Sequence, residues 1–425
     1  MTSSIGRDRQ GDIYRAGTFG RRPATPTGWD DLVARARRGM TRAGFAYIAG
    51  GAGRERTMSA NDDAWAQWQL VPRVLRDVSR RTTRSELFGT ELAAPVLLAP
   101  VGVASMAHRR ADLAAAEACA ELGIPMIFSN QASVPMEECA AVMGDGPRWF
   151  QLYWSTIDEL VESFLARAQK SGCQAIVVTL DTTMLGWRNR DLDLGSLPFA
   201  HGWGIAQYTS DPVFQRLAAE RAKRPSSGPQ PRPTPAAVRT LIDISRAHPG
   251  GFLDNLRSPI PRAAVELFLE TYSRPSITWD DLAWLRERTD LPILLKGVLH
   301  PDDARRAVDA GVQGVVVSTH GGRQVDGSIG AAQALPGVVD AVDGAIKVLV
   351  DSGIRTGSDV LKAVALGADA ALVGRPWVYG LAAGGPAGVR DVLHNLLAEL
   401  DLTLGLTGCT SIADARDITL VRRGA

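Results

Sequence analysis

Eight short apolar runs, each followed by a stretch of helical periodicity, recur along this chain and leave few architectures open. The runs cover residues 95–101, 125–128, 149–153, 175–180, 293–295, 315–317, 348–350 and 370–373. They are too short for buried helices and several are rich in β-branched residues, so they read as strands covered on both faces. Amphipathic stretches at 111–122, 135–142, 157–170, 280–289, 301–310, 332–342, 358–366 and 387–404 read as the intervening helices. Eight β-α units predict an α/β fold closed as a (β/α)8 TIM barrel rather than an open doubly wound sheet. No Gly-x-Gly-x-x-Gly fingerprint opens the first unit, which counts against a dinucleotide-binding sheet.

Residues 1–27 lack periodicity and read as an N-terminal arm, leaving 28–425 as the barrel domain. Residues 29–40 form an amphipathic helix, and a short helical piece at 43–48 is broken by Gly50-Gly51-Ala52-Gly53. The rhythm stops after the fourth strand, from Asp181 to about Ser276. An insertion there lies over the barrel mouth, so residues 182–276 are expected to form a lid. Its stretch 224–235, dense in Pro, Ser and Arg, is expected to be mobile.

Composition narrows the function. The 425 residues carry a net charge of +1 and are 45% hydrophobic, ordinary for a globular protein and unlike an electrostatic nucleic-acid binder. No apolar run approaches the roughly 18 residues that a membrane span needs. The first ten residues lack the apolar core of a signal peptide, and Arg422-Arg423-Gly424-Ala425 is no peroxisomal address. Cys119, Cys139, Cys173 and Cys409 form no Cys-x-x-Cys pair and read as reduced cysteines, with no metal site. The expected compartment is the cytoplasm.

The chemistry gathers at the C-terminal ends of the proposed strands, where barrels place their active sites. Strand six runs Val-Val-Val-Ser-Thr-His-Gly-Gly-Arg-Gln over residues 315–324, bringing His320 and Arg323 to one strand end. Asp181 ends strand four, and a carboxylate beside an imidazole raises its basicity and orients it. Arg188 and Arg323 are suited to clamp a substrate carboxylate, with Tyr153 and Tyr47 adding hydroxyl donors. Residues 351–357 and 373–376 bring Gly353, Gly374, Arg355 and Arg375 to the ends of strands seven and eight, a common barrel site for phosphate groups. Lys296 ends strand five in a chain that writes most of its positive charge as arginine. Schiff-base chemistry or a place against an electron-accepting ring both remain open for it.

Taken together, Lys296-Gly297, residues 318–324, residues 351–357 and Gly374-Arg375-Pro376 resemble the FMN-dependent α-hydroxy acid oxidase/dehydrogenase family. Gln151-Leu152-Tyr153, residues 179–182, Gly186-Trp187-Arg188 and residues 47–51 match as well, so the likeness runs from about Gly28 to the final helix. Within the family the motifs are most similar to the lactate 2-monooxygenase branch, on residues 99–102, 187–191, 208–214 and 300–306.

The resemblance implies roles. His320 would be the base, supported by Asp181, with Tyr153 on the substrate hydroxyl. Tyr47, Arg188 and Arg323 would hold the carboxylate, and Tyr208, in the lid, would also face substrate. Lys296 would sit at the N1–C2 oxygen edge of FMN. Pro100, Val101 and Gly102, with Ser129, Gln151, Thr179 and Ser318, would surround the flavin ring. Asp351, Gly353, Arg355, Gly374 and Arg375 would hold its ribityl and phosphate. A homotetramer or octamer follows by the same likeness, whereas the absence of membrane and nucleic-acid partners is expected from hydropathy and charge. Thr319 departs from the family's usual asparagine before the histidine, and Gln131 and Met184 lie where substrate-side residues vary.

The implied reaction is oxidation of an L-2-hydroxy acid by O2, with decarboxylation of a retained 2-oxo acid as in lactate 2-monooxygenase; Gly102 leans the same way. The alternative is a simple oxidase releasing 2-oxo acid and hydrogen peroxide, on a specialised substrate. A flavin-dependent isopentenyl diphosphate isomerase would not need two arginines around His320. An FMN-binding protein without turnover would not need His320, Asp181, Tyr153 and Lys296 together.

Overall fold

The computed structural model describes residues 4–224 and 234–424. Eight parallel strands close into a barrel: β1 (Val96–Leu98), β2 (Met126–Phe128), β3 (Arg148–Leu152), β4 (Ile176–Thr179), β5 (Ile293–Val298), β6 (Gly314–Val317), β7 (Lys347–Val350) and β8 (Ala370–Val373). They pair in chain order, and β8 returns to β1 through Leu372 opposite Leu97. Each strand is buried on both faces, as its unbroken apolar run requires. Leu97, Ile127, Trp149, Val177, Leu294, Val316, Leu349 and Leu372 fill the lumen. Their alternate neighbours, such as Leu98, Phe128, Phe150, Val178, Val317 and Val373, pack outward against the helices. The barrel is therefore solid at its centre.

Its N-terminal end is stoppered. A hairpin of Ser85–Leu87 and Thr90–Leu92 turns through Phe88 and Gly89, both at positive φ, the backbone a two-residue I′ turn demands. Leu87 and Leu92 join the lumen cluster and the Phe88 ring meets Trp149 at 5.7 Å. The C-terminal end is the open one.

Two helices ahead of the barrel escape the sequence reading. Ile5–Thr18, within the supposed arm, is capped by Ser4 and rests on the long last helix, Arg375–Leu406. It docks through Gly6 against Ala398, through Arg9 to Asn395 and Asp391, and through the Gly6 N–H to buried Asp401. Only Gly6 is buried along it, so there is no apolar stripe for periodicity to reveal. The other, Arg56–Ala66, buries Thr57, Asn61, Ala64 and Trp65 on one face, half of them polar.

The insertion between β4 and β5 is largely helical and well seated. Pro212–Ala222 and Ile260–Thr271 pack together, with Phe199, Tyr208, Phe214 and Phe268 fully buried. Arg167 and Ser163 of the barrel grip Asp211, which is wholly buried. This part of the insertion, expected as a lid, is packed as apolar core, while Thr182, Leu185, Arg188 and Tyr272 of the same insertion reach the cavity described below. The stretch expected to be mobile falls almost wholly outside the described residues. None of the described helices is long and apolar enough to cross a membrane.

Candidate active site

One large cavity, ≈ 1170 Å³ including its open mouth, occupies the C-terminal end of the barrel. Tyr47, Pro100, Val101, Gly102, Tyr153, Arg188, Lys296, His320, Arg323, Asp351, Gly353, Arg355, Gly374 and Arg375 all line it. These fourteen expected site residues come from segments spread over more than 300 positions.

The imidazole of His320 is fixed from one side. Its Nδ1 lies 2.8 Å from Asp181 Oδ1 and 3.1 Å from Thr182 Oγ1. That leaves Nε2 as the ring nitrogen free to meet a ligand. Burial holds the His320 pKa below its ordinary value against the pull of Asp181, so the ring is neutral at neutral pH. Burial works against the Asp181 charge, yet His320 and Lys296 together keep its pKa low. Asp181 itself stands behind His320 and does not line the cavity. A neutral imidazole backed by a carboxylate is a competent base.

Arg188 is buried and Arg323 half-buried, and among the described residues neither forms an ion pair. Arg188 donates to the Arg323 carbonyl and to Gln324 Oε1; Arg323 donates to the carbonyls of Tyr47 and Gly50 and lies over the Tyr47 ring at 4.7 Å. Burial and then Arg188 push the Arg323 pKa down to about 9. Two crowded guanidinium groups with no salt bridge among the described residues, and only Asp191 acting on them at longer range, suit an anion, and their planar forks match a carboxylate.

Lys296 is placed by a backbone irregularity. Gly297 interrupts the β5–β6 register as a bulge at φ 108°, and a Cβ there would lie 2.7 Å from Asp181 Cβ. The Lys296 ammonium bonds Asp351 Oδ2 at 2.8 Å and Ser318 Oγ at 2.7 Å. Burial opposes its charge, but Asp351 and Asp181 raise its pKa overall. An amine held this firmly as a cation is no Schiff-base nucleophile, which removes one of the two roles left open for it.

At the other end of the cavity Gly353 and Gly374 bring backbone close to Arg355 and Arg375. Gly353 adopts φ 98° with its α-carbon against Trp65, where a Cβ would fall 2.6 Å from the indole. Arg355 pairs with Asp62 and lies over the Trp29 ring at 4.1 Å, leaving its remaining donors for a ligand. Arg375 bridges the carbonyls of Ile48, Gly50 and Gly321.

Besides Asp181, five expected residues stand outside the lining. Ser129, Gln151 and Thr179 form a buried chain, Ser129 to Gln151 at 3.2 Å and Gln151 to Thr179 at 3.0 Å, which ties the ends of β2, β3 and β4 together. Ser318 sits beneath Lys296 and His320. Tyr208 is fully buried edge-on against Phe164, Phe214 and Phe268, and its hydroxyl donates to Asn130 Oδ1. Asn130 Oδ1 also accepts the Tyr153 N–H, so Tyr208 braces Tyr153 from behind rather than reaching a ligand. Conversely Trp29, Met58, Asn61, Asp62 and Tyr272 line the cavity without having been singled out.

Comparison with known proteins agrees with this geometry. The model of the FMN-dependent dehydrogenase family matches residues 36–422. The chain belongs to that family. It is 43% identical over 406 residues to the FMN-dependent alpha-hydroxy acid dehydrogenase qulF of Penicillium citrinum, covering 95% of this chain and 93% of that protein. It is 41% identical over 378 residues to the L-lactate oxidase of Lysinibacillus sphaericus, covering 89% and 88%. Mandelate oxidase solved with (S)-4-hydroxymandelic acid superposes with a TM-score of 0.76 at 37% identity, covering 92% and 98%.

This member of the FMN-dependent dehydrogenases is thus a flavoprotein oxidoreductase acting on α-hydroxy acids. The cavity fits the cofactor. It offers arginine and glycine N–H groups for a phosphate at one end, and a buried ammonium at its middle where a ring edge can carry negative charge.

Proposed function

We propose that this enzyme oxidises an L-2-hydroxy acid of lactate type with O2, and that the 2-oxo acid is held long enough to be decarboxylated. The observation that carries the reading is the placing of His320 and its Asp181 partner beside the unpaired guanidinium groups of Arg188 and Arg323. FMN bound in this cavity would supply the two-electron acceptor and the chemistry by which O2 is reduced.

The chain's own residues do the rest. Arg188 and Arg323 bind the carboxylate and set the acid's orientation, with Tyr47 closing over it. His320 Nε2 takes a proton from the substrate, and Asp181 stabilises the imidazolium that results. Tyr153 lies within the same wall and hydrogen-bonds the hydroxyl; burial and the neighbouring Asp181 keep its phenol protonated. Lys296 would stabilise negative charge on the edge of the flavin ring. Pro100, Val101 and Gly102, which line the cavity at the β1 end, would hold the ring, and Gly353, Gly374, Arg355 and Arg375 would hold the phosphate.

Retention is supported by the likeness of residues 99–102 to the lactate 2-monooxygenase branch; Gly102 lines the cavity close against Gln131, and there a retained oxo acid would meet hydrogen peroxide. Their reaction gives the acid shortened by one carbon, carbon dioxide and water. A simple oxidase is the second reading. It is favoured by the exposure of Met184, Leu185 and Trp187 near Arg188, which leaves a way out for product.

The test is aerobic turnover of a panel of L-2-hydroxy acids, including L-lactate and (S)-mandelate, with peroxide, carbon dioxide and 2-oxo acid assayed together. Carbon dioxide and shortened acid without peroxide support the monooxygenase. Equal amounts of oxo acid and peroxide make it an oxidase. Absence of turnover with every acid would overturn both.

A further inference from the structure

His320 stands at φ 54°, in the left-handed region that costs an L-residue about 1–2 kcal/mol. Such a conformation persists only where its surroundings over-determine it. One side of the turn is held by Ser352, whose Oγ accepts the N–H groups of Thr319 at 3.1 Å and Gly321 at 3.0 Å. The other side is held by Thr319, whose Oγ1 accepts the Gly322 N–H at 3.2 Å and the Asn61 Nδ2 at 2.8 Å.

Asn61 lies 258 positions away and is 2% exposed. Its Oδ1 accepts the Ala331 N–H at 2.9 Å, one of the four donors that the start of helix Ala331–Val342 leaves unpaired. A backbone N–H only donates, so it fixes the carboxamide with its NH2 toward Thr319. The helix carrying Asn61 is itself tied to the segments on both sides of the turn. Thr57 Oγ1 donates to the Val325 carbonyl, and Trp65 Nε1 donates to the Ser352 carbonyl.

We infer that Asn61 is a positioning residue for His320, acting through the hydroxyl of Thr319. Here a threonine hydroxyl and a carboxamide from another helix together brace the turn. The inference rests on the proposed role of His320 as the base. Loss of the brace lets the turn relax and the Nδ1 contact to Asp181 lengthen. Asp181 raises the His320 pKa, whereas burial, Lys296 and Arg188 lower it. A weaker Asp181 contact therefore moves the acid limb of the pH profile to lower pH, and Nε2 loses its aim.

The experiment compares Asn61→Ala, Thr319→Val, Thr319→Ser and the Asn61→Ala/Thr319→Val pair as FMN-loaded enzymes turning over L-lactate or (S)-mandelate. Flavin absorbance and Tm confirm the fold of each. Asn61→Ala and Thr319→Val are expected to lower kcat roughly 10- to 100-fold with KM nearly unchanged and the acid limb shifted down. Thr319→Ser keeps the acceptor and stays near the parent rate. The double variant is no worse than either single, as expected for two residues acting in series.

Parent-like kcat and pH profile in both Asn61→Ala and Thr319→Val, losses that multiply in the double variant, or equal losses in Thr319→Ser and Thr319→Val would overturn the inference. If Asn61→Ala fails to hold FMN, the Thr319 pair decides alone. His320→Asn separates the two levels. Its full activity would sink the base assignment, whereas an inactive His320→Asn beside a parent-like Thr319→Val sinks only the brace.

Discussion

His320 Nδ1 and Asp181 Oδ1 stand 2.8 Å apart, bridging the ends of β6 and β4 across the open end of the barrel. The pair divides the work of a base between two strands. One carries the nitrogen that exchanges a proton, and the other carries the charge that makes the exchange reversible.

The sign of the pH dependence follows. His320 must be neutral to accept a proton, so kcat/KM is expected to rise with pH through a pKa below the ordinary 6.5 of histidine. Asp181→Asn removes the charge that raises this pKa. Its acid limb should move to still lower pH while kcat drops about 10²- to 10³-fold. A pH–rate profile for both proteins checks this, and a limb moving upward would contradict it.

Arg323→Lys keeps the charge but loses the planar fork. With Arg188 intact, KM for the hydroxy acid is expected to rise at least about 30-fold, the effect of breaking one desolvated charge-assisted contact. Steady-state kinetics with L-lactate or (S)-mandelate measures it. An unchanged KM would remove Arg323 from the carboxylate site.

Most of the barrel was legible because buried parallel strands announce themselves. Runs such as Val315, Val316 and Val317 have only one comfortable home. The polar strand ends were legible for the same reason, since a charged residue directly after such a run has to face the barrel mouth. What escaped was written in other terms. The helix Arg56–Ala66 spaces Thr57, Asn61, Ala64 and Trp65 correctly, but Thr57 and Asn61 are polar and blur the apolar stripe. Asn61 and Asp62 went unseen with it. Tyr208 misled in the opposite direction, because a motif carries the identity of a residue but not the depth at which it is buried.

Tyr208→Phe turns that last point into a measurement. The variant keeps the aromatic packing and loses one hydroxyl donor to Asn130, so stability should fall by about 1 kcal/mol. KM should stay within about twofold, since the hydroxyl does not line the cavity. A large KM increase would return Tyr208 to the substrate.

Lys296→Met leaves the Asp351 carboxylate buried without its partner. Removal of one member of such a pair costs about 3–5 kcal/mol, so denaturant unfolding should show a clear loss. FMN release, followed by flavin fluorescence, should accompany it. Stability equal to the parent would mean that Asp351 finds another counter-charge.

The hairpin at Phe88 and Gly89 has a kinetic consequence. With the lumen filled and its base stoppered, the described residues close the cavity at the bottom and leave a doorway at its C-terminal mouth. Whatever is made inside must retreat along the path by which the next acid arrives. The two candidate reactions then differ in traffic rather than in catalytic parts: the outcome is decided by whether the oxo acid clears that doorway before it is consumed behind it.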